Sequence, residues 1–152
     1  MPTSLKPGDK APTFKAETAD GSTLSRKDVA KKPFVLYFYP RDNTPGCTRE
    51  AQSFRDAMPD FRKRGVAVLG ASTNSVGSHE RFTANHELPF PLLADTGGKI
   101  AAAYGVLKEN GKSAERVTFL IDGKGVIRKV WPKVTVIGHA QDVLDAIDEL
   151  GL

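Results

Sequence analysis

Apolar positions fall in two alternating patterns along the chain, and together they predict a mixed α/β protein. Phe34-Val35-Leu36-Tyr37-Phe38-Tyr39 is an unbroken apolar run stopped by Pro40, as expected of a strand covered on both faces and therefore central in its sheet. From residue 46 to residue 64, Ala51, Phe54, Met58 and Phe61 recur at three- and four-residue intervals, which is a helical stripe. Pro59 lies inside that stripe. Lacking a backbone N–H and clashing with the preceding turn, it predicts a kink or a break near Met58. Residues 66–71 read as a second buried strand, followed by a helix to about His86 that Ser75 or Ser78 caps. Further on come a short strand at 92–94, a short helix at 98–104, and a hairpin of 117–121 with 126–131 across Asp122-Gly123-Lys124-Gly125. The last segment, 140–150, sets Val143, Leu144, Ile147 and Leu150 on one face of a closing amphipathic helix. Ahead of all these, residues 14–19 and Leu24 predict a small N-terminal hairpin across Asp20-Gly21. A mixed sheet with helices on both faces is the economical assembly.

Composition narrows the class without naming the chemistry. With 152 residues, 39% hydrophobic and 26% charged, the chain is expected to form one domain over 1–152. No repeat, low-complexity tract or linker divides it. Its one cysteine excludes an internal disulfide and any multi-cysteine zinc or iron-sulfur site, and fits a reducing compartment. Residues 1–10 lack the apolar stretch of a secretory signal, and the run at 34–39 is far too short to cross a bilayer. The expectation is a soluble cytoplasmic protein without a membrane partner. The net charge of +4 is uneven, since residues 1–76 carry 13 basic and 8 acidic side chains and residues 77–152 carry 9 and 10. Its densest cluster, Arg62-Lys63-Arg64, closes a predicted helix, where cations complement the carbonyl end of the dipole. No aromatic residues interleave with it, so no nucleic-acid partner is expected.

The chemically loaded stretch is Tyr39-Pro40-Arg41-Asp42-Asn43-Thr44-Pro45-Gly46-Cys47-Thr48-Arg49-Glu50. It places the only thiol where a strand-to-helix loop becomes a helix. First-turn N–H groups lack intrahelical partners and carry partial positive charge, which favours a sulfur anion at that point. Thr44 lies three residues before Cys47, so its hydroxyl can turn toward the sulfur while Pro40 and Pro45 restrict the backbone between them. The competing possibility is that Cys47 is a small buried apolar residue and Thr44 merely a helix cap. Spacing alone leaves the two open.

Beyond spacing, Phe38-Tyr39-Pro40 followed by Thr44-Pro45-Gly46-Cys47 resembles the active-site signature of peroxiredoxins. Leu88-Pro89-Phe90-Pro91, Ala103-Tyr104-Gly105-Val106 and Glu115-Arg116-Val117-Thr118-Phe119 extend the likeness to the bacterioferritin comigratory, or Q-type, subfamily over nearly the whole chain. The resemblance implies a thioredoxin-like fold and a thiol-dependent peroxidase acting in antioxidant defence. It also implies roles: Cys47 as the peroxidatic cysteine, Thr44 as the hydroxyl that hydrogen-bonds the peroxide, Pro40 as the ring that shields the sulfur, and Arg116 as the cation beside it. Gly46, Tyr39 and Glu50 would complete the pocket, Glu50 either by orienting an arginine or as a solvated first-turn carboxylate. A local unwinding of the turn around Cys47 is expected when the oxidised sulfur meets its reductant.

One departure changes the expected mechanism. Many members of this subfamily carry a second cysteine five residues after the first, and this chain has Gln52 there. A sulfenic acid on Cys47 would then be reduced by an external thiol, such as thioredoxin, glutaredoxin or a low-molecular-weight thiol, or form a disulfide with Cys47 of another chain. A monomer or weak homodimer without metal or cofactor is expected. His79, His86 and His139 have no metal-ligand spacing, and Gly105 to Ser113 has one residue too many between its glycines for a phosphate-binding loop. Two alternatives remain: thiol-disulfide exchange, weakened by the absence of a Cys-x-x-Cys pair, and a binding module that kept the scaffold alone.

Overall fold

The computed structural model describes residues 3–29 and 31–152, so Met1 and Pro2, the start of the N-terminal stretch considered above, lie outside it. Seven strands and four α-helices follow in the order β1 (Lys15–Glu17), β2 (Thr23–Ser25), β3 (Phe34–Phe38), α1 (Pro45–Lys63), β4 (Ala67–Ser72), α2 (Val76–His86), β5 (Leu92–Ala94), α3 (Lys99–Ala103), β6 (Val117–Ile121), β7 (Ile127–Trp131) and α4 (His139–Leu150). A 3-10 turn over Arg26–Val29 links β2 to β3. β1 and β2 form an antiparallel hairpin, and the other five strands form one mixed sheet in the order β5-β4-β3-β6-β7. β3 is parallel to β4 and antiparallel to β6, and β6 and β7 form an antiparallel pair.

All five residues of β3 are buried, and their alternation divides the interior in two. Val35 and Tyr37, with Tyr39 beyond them, face a core with Ala51, Phe54 and Phe61 of α1 and Val143, Leu144 and Ile147 of α4. Phe34, Leu36 and Phe38 face the opposite core, with Ile100 and Ala101 of α3, Tyr104, Phe119 and Ile127. This period-two sorting makes the apolar run a central strand: each face is wholly covered, so neither admits polar residues.

Pro59 does not break its helix, and α1 is continuous from Pro45 to Lys63. The ring sits on the exposed side, where water can satisfy the carbonyl that loses its N–H partner. Ser75, rather than Ser78, is the α2 cap, and its side chain accepts from the Ser78 N–H at 3.2 Å.

Gly70 makes room for one large core ring, since a Cβ there would meet Leu92 at 2.7 Å and the Tyr37 ring at 2.9 Å. That ring stacks on Phe54 with centroids 4.7 Å apart, yet its buried hydroxyl has no hydrogen-bond partner. An orphaned hydroxyl carries a desolvation cost without a compensating bond. Tyr37→Phe is therefore expected to leave thermal stability unchanged or raise it by up to about 1–2 kcal/mol, as read by denaturant titration. Gly70→Ala is expected to lower it, because overpacking a filled core costs about 1–3 kcal/mol.

Candidate active site

Of the residues singled out, Cys47, Gly46, Glu50, Arg116 and Tyr39 come together where β3 ends and α1 begins. Val117 pairs with Phe38, so Arg116 enters β6 opposite the end of β3. Thr44 precedes Pro45 and is extended, at φ −93° and ψ 151°, because proline excludes the helical region for the residue before it. Pro45 then starts the helix at the position where a missing N–H costs nothing. The first helical bond of the turn runs from the Thr48 N–H to the Thr44 carbonyl at 2.9 Å. Thr44 makes no side-chain cap. Its hydroxyl donates instead to the Arg41 carbonyl at 2.9 Å, not to the sulfur, as its position in sequence had suggested it could.

Arg116 spans the site. Its Nη2 donates to Cys47 Sγ at 3.3 Å and its Nη1 to Glu50 Oε1 at 2.7 Å. Gly46 permits that approach, because a Cβ at residue 46 would lie 3.2 Å from Nη2. Cys47 is only 1% exposed, whereas the Arg116 side chain is 22% exposed. The sulfur thus lies in the apolar interior, and Pro40, Thr44 and Gly46, which precede it in the chain, are each half-buried. The ring of Tyr39 belongs to the same buried cluster as Cys47, and its hydroxyl donates to Asp42 Oδ1 at 2.6 Å.

Glu50 is buried rather than solvated, and its Oε2 has no partner. Burial pushes its carboxyl up to about 7, against the pull of the Arg116 charge and hydrogen bond. Burial weighs on the guanidinium too, but Glu50 and Cys47 outweigh it and hold Arg116 above the ordinary arginine value. Neighbouring His139 starts α4, with Nε2 2.8 Å from Thr118 Oγ1, and burial lowers it to about 4.

One residue from outside the 39–50 stretch packs against the loop within it. Asp42, midway along the loop from β3 to α1, is buried against His79 of α2. Thirty-seven residues separate them, and no local pattern announces the pairing. A polar cleft of about 380 Å³ opens beside Pro40 and Arg41, with Asn74 and Lys112 also in its wall. The larger cleft, about 550 Å³ between the N-terminal hairpin, α2 and residues 88–91, contains none of the site residues. Among the described residues no cluster of three His, Cys, Asp or Glu side chains could hold a metal ion, and no helix is long and apolar enough to cross a membrane.

A mixed sheet carrying a lone cysteine in the first turn of the helix after its central strand, beside an arginine from an adjacent strand, defines the peroxiredoxin class of thioredoxin-fold proteins. The AhpC/TSA family model matches residues 7–130. Peroxiredoxin Bcp of Bacillus subtilis is 40% identical over 153 residues, covering 97% of this chain and 98% of that protein. Peroxidoxin BcpB of Mycobacterium tuberculosis superposes with a TM-score of 0.90 at 31% identity, covering 96% of this chain and 98% of its own. A yeast mitochondrial 1-Cys peroxiredoxin, solved to explain thiol resolution via glutathione/thioredoxin systems, has a TM-score of 0.87 at 29% identity over 97% of this chain and 76% of its own. The chain belongs to the AhpC/TSA family, as a one-cysteine member of its Bcp/Q-type peroxiredoxins, and the family's activity is thiol-dependent peroxide reduction.

Two outcomes follow from this geometry. Gly46→Ala is expected to slow peroxide consumption more than it lowers the melting temperature, since the added methyl displaces the Arg116 guanidinium by a few tenths of an ångström. The Glu50 carboxyl has a folded-state value of about 7 against 4.5 in the unfolded chain. Its contribution to stability is therefore full below pH 4.5 and is lost as pH rises to about 7. Wild type is expected to lose stability relative to Glu50→Gln across that window, as read by chemical denaturation at a series of pH values.

Proposed function

We propose that the protein reduces hydrogen peroxide and organic hydroperoxides through a sulfenic acid on Cys47 that an external thiol resolves. The observation that carries this reading is the bridge by which Arg116 joins Cys47 Sγ at 3.3 Å to Glu50 at 2.7 Å, in a chain with no second cysteine. The Cys47 thiolate attacks one peroxide oxygen, forming an S–O bond as the O–O bond breaks. The leaving oxygen departs as water or an alcohol after taking up a proton. Sulfur is oxidised by two electrons and the peroxide is reduced by two. An external thiol then displaces water from the sulfenic acid to give a mixed disulfide, and a second thiol releases Cys47 as the external disulfide forms.

Each residue has a physical part in the first step. Arg116 and the N–H groups of Gly46 and Cys47 stabilise the charge that develops on the departing oxygen. The Thr44 hydroxyl has given its hydrogen to Arg41, which leaves its oxygen free to accept from a peroxide O–H. Pro40 and Tyr39 screen the sulfur from bulk water. Glu50 holds the guanidinium in line. A sulfur 1% exposed admits a small peroxide sooner than a thiol protein, so local opening of the first turn of α1 would precede resolution. Thioredoxin, glutaredoxin and glutathione-like thiols are the candidate reductants. The yeast relative, which is described with glutathione/thioredoxin systems, supports that range. The setting is the reducing cytoplasm, and the acting unit is a single domain, monomeric or weakly dimeric.

Peroxide added to the purified protein with a sulfenic-acid probe is expected to label Cys47 within seconds and to leave Cys47→Ser unlabelled. Peroxide consumption without labelled Cys47 would overturn the reading. Arg116→Ala is expected to reduce the rate constant with peroxide by about 10²-fold, the typical loss for one donor to a developing oxyanion. Its melting temperature is expected to move by only a few degrees. A panel of reductants with peroxide in excess, followed by turnover, identifies the resolving thiol.

A further inference from the structure

The loop from Pro40 to Thr44 leads straight into the Cys47 helix, yet no sheet ladder fixes it. It turns at Asn43, which has a left-handed φ of 63°. What ties it down is Asp42, 4% exposed. Its Oδ1 accepts the Tyr39 hydroxyl at 2.6 Å, and its Oδ2 accepts the Ser78 hydroxyl at 2.8 Å and lies 2.7 Å from His79 Nδ1. Its backbone N–H donates to Asn74 Oδ1 at 3.0 Å. His79 is fully buried, with Nε2 2.9 Å from the Leu93 carbonyl of β5. A carbonyl only accepts, so Nε2 carries a hydrogen and His79 is held between β5 on one side and Asp42 on the other. Burial alone would raise the Asp42 carboxyl, but the imidazole's bond and charge, with the two hydroxyls, hold it below the usual range.

We propose that His79 is a positioning residue for peroxide reduction: acting through Asp42, it fixes the Pro40–Thr44 loop at the entrance to the Cys47 site. This rests on the reading of Cys47 as the peroxide-reducing sulfur. Thr44 and Pro40 are each two residues from Asp42, so a loosened Asp42 moves both. The placement of Arg116 depends on β6 and Glu50, which this network does not touch. A loop shift of about 1 Å is enough to cost on the order of 10²-fold when a reacting group must be aligned. His79 therefore governs how well peroxide is seated, while the sulfur keeps its guanidinium.

Two reactions of Cys47 separate these effects. Alkylation by iodoacetamide needs the reactive sulfur but neither Thr44 nor Pro40, whereas oxidation by hydrogen peroxide needs all three. In folded His79→Gln, the rate constant for sulfenic acid formation is expected to fall at least about tenfold while alkylation stays within about threefold, since misalignment of the loop alone penalises the oriented reaction. Removing one partner of a buried pair leaves the other uncompensated, so the double variant Asp42→Asn/His79→Gln, whose two neutral amides can bond each other, serves if the single variant does not fold. It is expected to recover stability and retain the selective defect. Proportionate loss of both rates, or loss of neither, overturns the proposal. A wild-type protein that forms no sulfenic acid overturns the reading of Cys47 itself.

Discussion

The site is organised by one guanidinium that bonds two partners at once. Arg116 reaches from the start of β6 across to the first turns of α1, where it meets Cys47 and Glu50 together. Because the two acceptors lie three residues apart on one helix, they face the same side and the planar fork can address both at once. A lysine, with a single point of charge, could not hold the same geometry. The arrangement also explains how a carboxyl comes to be buried there: without Arg116 it would carry the full cost of leaving water.

The Thr-Pro-Gly run before Cys47 supplies three solutions to one crowding problem. The guanidinium must approach the helix terminus side-on, which needs a residue without a Cβ, and Gly46 provides it at 3.2 Å. The helix must start abruptly, and Pro45 sets its own backbone angle while forcing Thr44 to be extended. The Thr44 hydroxyl bonds backward to Arg41 rather than capping forward. As a result the N–H groups of Gly46 and Cys47 are not taken up by the Thr44 side chain.

How much of this was legible in the sequence depended on whether the cause was local. The β3 run, the α1 stripe and the Pro-Gly-Cys turn are set by residues within a few positions of one another, and their places follow from pattern. Glu50 was undecided between orienting an arginine and facing water, because the first turns of a helix offer both exposed and buried positions and only the packing of β6 against α1 chooses. Of the kink or break that Pro59 predicts, the break does not occur: the helix runs through it, with the ring facing solvent, where the carbonyl that loses its partner can be hydrated. The Asp42–His79 contact has no signal in the sequence, since nothing along the chain joins residues so far apart.

The two levels of organisation divide the work of the site. The placing of the guanidinium beside the sulfur is a matter of β6, buried along its whole length, and of the buried face of α1. The loop between β3 and α1 has no ladder of its own and borrows order from α2 and β5 through Asp42 and His79. Such a division suits a reaction with two steps of different steric demand. Under the proposed mechanism a peroxide, being small, needs a fixed seat, whereas an external thiol, being larger, needs the same region to open. A loop anchored by a few directed polar contacts, rather than by a buried apolar face, can meet both needs: those contacts hold geometry sharply when intact and involve little apolar surface when released.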